Sequence, residues 1–207
     1  MIQNIHHRLV LFDFDGVIAD TGELSYELRK KLEPGLTRGQ FADYFRGNIW
    51  HVVPSVLPTE EMMLEQSKLY SQSLALVPFN KELKEVIEEF AKRYTLAIVS
   101  STHSALIREY LSAQGIDRLF FQILGSDVHT SKSEKIRMIL DVTGLTMNDA
   151  IFITDTLGDI KSAQKCGVRS VGVSWGFQSP AVLQEGSPIA VVTSLNELKT
   201  AVDTFFL

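Results

Sequence analysis

Asp13 and Asp15 stand two residues apart at the end of the apolar run Leu9 to Phe14, with Gly16 directly after them. Two carboxylates in such a place are expensive, because like charges held close together raise one pKa or draw in a cation. In an extended chain, positions i and i+2 share a face, so the pair is placed to approach each other at the C-terminal edge of a sheet, where α/β proteins bind ligands. An Asp before Gly is also an ordinary turn signal. A second apolar run, Ile151 to Thr154, ends in Asp155, and Asp159 follows four residues later. Asp155 suits a hard cation such as Mg²⁺, which takes oxygen donors and keeps several waters. Asp159, one helical turn on, could hold one of those waters or orient a neighbour; the competing reading is a helix N-cap at Asp155 with Asp159 in the first turn. Ser100, Ser101 and Thr102 follow Leu96 to Val99, and hydroxyls with free amides at a strand-to-helix turn make either a phosphate seat or an N-cap. Lys132 opens a helix, where the macrodipole disfavours a cation and so calls for an anion nearby.

The elements that must position these groups are legible as an alternation of short apolar runs and helical stripes. Leu9 to Phe14, Leu96 to Val99, Phe120 to Leu124, Ala150 to Thr154, Ser170 to Val173 and Ile189 to Val192 read as buried strands, the mark of βαβ units around a parallel sheet. Between them, Leu83, Val86, Ile87 and Phe90 repeat at helical spacing over Lys81 to Arg93, and Leu195, Leu198, Val202 and Phe205 give the last helix its stripe. Ser131 with Glu134, and Ser194 with Glu197, have the spacing of reciprocal capping boxes, which puts Lys132 at a helix N-terminus. From Asp20 to Phe79 the pattern changes: no clear β run, three prolines (Pro34, Pro54, Pro58) and amphipathic stretches such as Glu60 to Leu74. This is a helical insertion jointed after Ile18 and at the Val77–Pro78 step. Every chemical group above then lies at or just beyond the C-terminal end of a core strand.

The order Asp-x-Asp, Ser, Lys, Asp-x-x-x-Asp resembles the four motifs of the haloacid dehalogenase superfamily, over the span from about Leu9 to Phe177. Cys166-Gly167-Val168 and Trp175-Gly176-Phe177 are similar to the corresponding segments of phosphoglycolate-phosphatase-like members, and the whole resembles the phosphoglycolate-phosphatase and β-phosphoglucomutase-like group. The resemblance implies a Rossmann-like three-layer α/β/α core made of residues 1–18 and 80–207, with residues 19–79 as a helical cap that closes over the site. It implies Asp13 as the nucleophile that forms an aspartyl-phosphate, and Asp15 as general acid and then general base. Mg²⁺ is implied on the Asp13 carboxylate, the Asp15 backbone carbonyl and Asp155, with Asp159 directly or through water; Ser100, Ser101 and Lys132 are implied as phosphate-binding. Thr154 stands where the family commonly has Gly, and Ser133 where Pro is common; Lys135 is the other claimant for the phosphate lysine, with Lys132 preferred because it lies nearer the helix start. An acid at Asp15 implies phosphate esters, since family members acting on halides or phosphonates need no proton delivered to an alkoxide. β-Phosphoglucomutase also keeps both acids, but the His and Arg of its cap fall on Ser25 and Trp50 in an ungapped reading. A phosphatase of small phosphorylated metabolites is therefore expected, ahead of a mutase and of a non-catalytic sensor of such metabolites.

Composition narrows the partners. The chain has 207 residues, 45% of them hydrophobic, 20 Lys and Arg against 25 Asp and Glu, and a net charge of −5. No basic run interrupts that balance, which excludes a non-specific grip on a nucleic-acid backbone. No apolar stretch is long enough to span a bilayer, and the run after Arg8 is cut by Asp13 before it could serve as a signal-peptide core. With Cys166 as its lone cysteine the chain forms no internal disulfide, in keeping with a reducing, cytoplasmic setting. Arg46, Asn48, Trp50 and His51 offer a possible substrate-facing surface on the insertion, although a Trp there is expected to pack. His103 and His129, in loops near core strand ends, could touch substrate but read more readily as solvated or capping residues, and Asp20 reads as a helix cap.

Overall fold

The computed structural model describes residues 5–52 and 59–207, so Pro54 and Pro58 of the insertion lie outside the described residues. Six parallel strands form one sheet in the order β3-β2-β1-β4-β5-β6: β1 (Leu9–Phe12), β2 (Thr95–Val99), β3 (Phe120–Leu124), β4 (Ala150–Thr154), β5 (Arg169–Val173) and β6 (Ala190–Val192). Leu11 pairs with Ala97 of β2 on one side and with Phe152 of β4 on the other, so β1 is central. Its four residues are all fully buried, which is why it reads as an unbroken apolar run rather than an alternating one.

The two faces of the sheet serve separate apolar layers. Val10 and Phe12 point into one layer with Phe90, Ile107 and Val202, contributed by helices α4 (Lys81–Ala91), α5 (Ser104–Ala113) and α9 (Leu195–Phe205). Leu9 and Leu11 point the opposite way, against Ile136, Ile139 and Ala163, from α6 (Lys132–Thr143) and α7 (Leu157–Gln164). Period-two alternation along β1 thus supplies both interfaces of a three-layer α/β/α core. Between β1 and α4 run α1 (Gly22–Leu32), α2 (Arg38–Asp43) and α3 (Glu60–Leu74), and a short α8 (Pro180–Gln184) precedes β6. Helix α3 has the span expected from its sequence. Residues Tyr26, Leu36 and Phe41 of the insertion make a small apolar cluster of their own.

Three local expectations are corrected. Strand β1 stops at Phe12, two residues early: the Asp13 amide still reaches the Ile153 carbonyl at 2.9 Å, but the Phe14 carbonyl then accepts the amides of Ile18 and Ala19 (2.9 and 3.0 Å) and folds the chain into a turn. The capping boxes are half-formed. Ser131 and Ser194 accept the Glu134 and Glu197 amides at 3.4 and 3.3 Å, whereas the Ser131 amide donates to His129 Nδ1 and the Glu197 carboxylate accepts from Thr193. The residue before α1 is Thr21, not Asp20, and its hydroxyl donates to Asp15 at 2.7 Å instead of capping the helix.

Strand order reverses between β1 and β4, and the crevice at the C-terminal ends of these two strands is where an open parallel sheet leaves room for a ligand. The core below it sets a measurable stability. Phe12, fully buried and edge-on to Phe120 at 6.2 Å, leaves a cavity when truncated: Phe12→Ala should lower the unfolding free energy by about 3–5 kcal/mol in a urea titration. Leu76→Ala, at a residue 84% exposed, should change it by less than about 0.5 kcal/mol.

Candidate active site

Asp13 follows β1 directly and is 4% exposed. Its Oδ1 accepts the Phe14 amide at 2.7 Å and lies 2.8 Å from the Nζ of Lys132. The same ammonium bonds Oδ2 of Asp159 at 2.5 Å, and the Thr154 hydroxyl donates to that oxygen at 2.9 Å. The anion that Lys132 calls for at a helix start is therefore present twice. Burial opposes the Lys132 charge, but Asp13 and Asp159 outweigh it and hold the ammonium above its usual range. Burial pushes the Asp13 carboxyl well up, with Asp159 and Asp155 adding to the rise and Lys132 opposing it. Thr154, which departs from the family's Gly, supplies a hydroxyl to Asp159 and accepts the Thr156 amide at 3.3 Å.

Asp155, at the end of β4, is fully buried. One oxygen, Oδ2, accepts the Phe177 amide at 2.7 Å, while Oδ1 has no hydrogen-bond partner. Burial raises its pKa to about 7, with the Asp159 charge adding and the Phe177 amide opposing. It does not cap α7; Thr156 does, accepting the Asp159 amide at 3.4 Å. Gly16 turns beside it with φ +73°, and a Cβ there would come within 2.1 Å of Asp155 Oδ2, so the loop after β1 closes on this carboxylate only without a side chain. An orphaned carboxylate oxygen in a buried, net-negative crevice fits a cation. Among the described residues no three His, Cys, Asp or Glu side chains form a ready ligand array. Mg²⁺ suits such a place, since it takes one or two carboxylates and completes its shell with carbonyls and water; Asp13, Asp155 and the Asp15 carbonyl are the groups that could hold it.

Asp15 lines the same cleft as Asp13 but takes a separate set of partners. The parity of a strand no longer holds past Phe12, because Asp15 already bridges to Ala19. Four hydroxyls surround its carboxylate. Thr21 donates to Oδ1 at 2.7 Å and Tyr70, from α3, donates to the same oxygen; Thr102 donates to Oδ2 at 2.6 Å and Ser100 at 3.4 Å. Ser100 is fully buried and its Oγ also accepts the Thr102 amide at 3.0 Å, while Ser101 and Thr102 face the open cleft. Lys135 lies beneath this loop, donating to the carbonyls of Ser100 and Gly125, and burial lowers its pKa to about 8, the Lys132 charge acting in the same direction. Lys132, not Lys135, lines the cleft. Tyr70 and Thr21 carried no sequence signal; Thr102 and Phe177 stood in segments the sequence singled out, but their bonds to Asp15 and Asp155 did not show there, because those partners lie far along the chain.

The cleft encloses about 620 Å³ between the core and the insertion. Its floor is Asp13, Asp15, Lys132 and Asp159, and its insertion wall includes Ser25, Leu28, Phe41, Phe45, Asn48 and Trp50. Trp50 is 50% exposed rather than packed, and Arg46 is occupied by Asp43 and Glu185 at 2.8 Å each. His103 accepts the Ala105 amide at 3.2 Å and His129 the Ser131 amide at 2.8 Å, both as capping residues. Among the described residues no helix is long and apolar enough to cross a membrane.

A doubly wound sheet thus carries acids beyond its two central strands, with Lys132 between Asp13 and Asp159, at the crevice where such a sheet binds ligands. The chain belongs to the haloacid dehalogenase-like hydrolases: the family model matches residues 10–173. It is 22% identical to a phosphoglycolate phosphatase of Vibrio parahaemolyticus, covering 92% of this chain and 94% of that protein. It is 24% identical to the pyrophosphatase PpaX of Listeria innocua, covering 91% and 93%. The crystal structure of CbbY from Rhodobacter sphaeroides, in complex with phosphate, superposes with a TM-score of 0.75 at 18% identity, over 98% of this chain and 100% of that one.

The pKa of Asp155 ties the metal to stability. Its folded value of about 7 lies above the 3.8 of a free side chain. The folded state therefore keeps a proton that the unfolded state loses, and in metal-free protein this residue's contribution falls as pH rises from about 4 to about 7. The native protein should lose melting temperature relative to Asp155→Asn across that window in chelator. Mg²⁺ should raise the native melting temperature more at about pH 8 than at about pH 5, and an equal rise at both would contradict the assignment.

Proposed function

We propose that this protein is a Mg²⁺-dependent phosphatase of small phosphorylated metabolites that works through an aspartyl-phosphate on Asp13. The observation that carries the reading is the division of labour between the two acids: Asp13 lies against Lys132, and Asp15 is held two residues away among neutral hydroxyls on the same cleft. The Asp13 carboxylate attacks phosphorus, and the bond from phosphorus to the leaving oxygen breaks as Asp15 donates a proton to that oxygen. Asp15 then removes a proton from water, whose oxygen attacks the phosphorus and releases phosphate, restoring Asp13. Lys132, with Ser101 and the amides of its loop, takes up the charge on the phosphoryl oxygens. Asp13, Asp155 and the Asp15 carbonyl would hold Mg²⁺, which when bound would screen the repulsion between the anionic carboxylate and the anionic phosphate.

The walls of the cleft bear on the leaving group. Ser25 and Trp50 line it where the resemblance to β-phosphoglucomutase would require a His and an Arg, so that an imidazole base and a guanidinium charge are missing at those two places. Arg29 is the cation that the insertion's described residues bring to the cleft, and it is matched by Glu33 at 2.5 Å and lies over the Tyr44 ring at 5.2 Å. The rest of that wall is largely apolar or neutral. Esters with an uncharged organic leaving group therefore fit better than phosphoglycolate or pyrophosphate, whose second anionic group would meet a cation already neutralised.

Phosphate release from a nucleoside 5′-monophosphate, a hexose phosphate, 2-phosphoglycolate and pyrophosphate tests both statements. Turnover should need Mg²⁺, fall roughly a thousandfold or more in Asp13→Asn, and favour the first two esters. Release that survives Asp13→Asn would refute the mechanism, and preference for the doubly anionic substrates would refute the reading of the walls.

A further inference from the structure

Asp15 sits on a turn, not on a strand, so its carboxylate is oriented by its hydrogen bonds and not by the sheet. Two of its donors, Ser100 and Thr102, come from the loop after β2, and a third, Thr21, from the joint just before α1 where the insertion leaves the core. The fourth, Tyr70, lies 55 residues away in sequence on the last turns of α3, and among the described residues it is the donor that the outer part of the insertion sends to this carboxylate. Tyr70 Oη donates to Asp15 Oδ1 and lies 3.4 Å from Thr102 Oγ1, so it closes a ring of hydroxyls around the acid. Its aromatic ring packs on the main apolar layer, and Leu74, one turn further along α3, is 3% exposed within that layer. Helix α3 is thus anchored to the core next to the atom it presents to Asp15. Burial, and then the nearby Asp15 charge, raise the phenol pKa, so the hydroxyl keeps its proton and acts as a donor.

We propose that Tyr70 is a positioning residue for the proposed general acid, through which the insertion sets the orientation of the Asp15 carboxylate and so couples its own seating on the core to protonation of the leaving group. The inference rests on the phosphatase reading above. Tyr70 exchanges no proton in the reaction: Asp15 gives its proton to the leaving oxygen and regains one from water, while the phenol holds Oδ1 in place. A carboxylate free to rotate about its side-chain bonds spends less time with an oxygen in reach of the leaving group, and that loss falls on esters that need the proton.

The test is Tyr70→Phe, which removes one oxygen and keeps the packed ring, compared with the native protein on two substrates. One is the alkyl phosphate that the native protein turns over best; the other is p-nitrophenyl phosphate, whose leaving group departs without protonation. Because kcat/KM reports steps up to formation of the phospho-enzyme, it isolates the acid step from later hydrolysis. The expected result is a fall of roughly tenfold to a hundredfold in kcat/KM for the alkyl ester, with less than about a threefold change for the aryl ester and an unchanged melting temperature. Equal losses on both esters would reduce Tyr70 to a structural contact and overturn the proposal. No loss, or a gain, on the alkyl ester would overturn it as well. A native protein that hydrolyses neither ester refutes the phosphatase reading, and the role of Tyr70 falls with it.

Discussion

Asp13, Asp155 and Asp159 are drawn into one crevice poor in water, with the ammonium of Lys132 between two of them. Much of the surrounding architecture follows from keeping that charge cluster tolerable. Strands β1 and β4 run parallel and adjacent so that their ends deliver Asp13 and Asp155 to the same edge. Helix α6 begins where it does so that Lys132 reaches across, and the Thr154 hydroxyl at the end of β4 donates to the Asp159 carboxylate, while Thr156 at the start of α7 accepts the Asp159 amide. The compensation remains incomplete at Asp155 Oδ1, where burial favours the neutral carboxyl and a bound cation would favour the charged one.

The second acid obeys the opposite rule. Asp15 takes neutral donors where Asp13 takes a cation, and two carboxylates close in sequence are thereby given different surroundings. On the proposed phosphatase reading, separation of this kind would let one site carry both a nucleophile and a proton carrier without the two competing for the same counter-charge. The turn after Phe12 accomplishes it, since continuing the strand would have pointed both side chains to one face.

The core was legible in the sequence because parallel strands buried on both faces leave continuous apolar runs, and β3 and β4 have the limits those runs suggest. Helix α3 was equally plain from its stripe, and Lys132 was separable from Lys135 by its place at the start of α6. What the sequence did not disclose depended on long-range partners. Nothing local to Tyr70 signals Asp15, and nothing in Trp175-Gly176-Phe177 signals that a main-chain amide there serves Asp155. The capping boxes misled in part because their geometry admits substitutes: His129 and Thr193 supply the contacts that the reciprocal halves would have made. Thr154 stood out only as a departure from a family pattern, and its bond to Asp159 gives that departure a physical content.

Gly158, in the first turn of α7, faces the insertion so closely that a Cβ there would lie 2.2 Å from the carbonyl oxygen of Gly47 and 2.8 Å from that of Phe45. Main chain rests on main chain at this point, one residue before Asp159 and three after Asp155. The fold therefore has a sill that must stay bare: any side chain on this step would wedge the insertion away from the core beside the acids they both face.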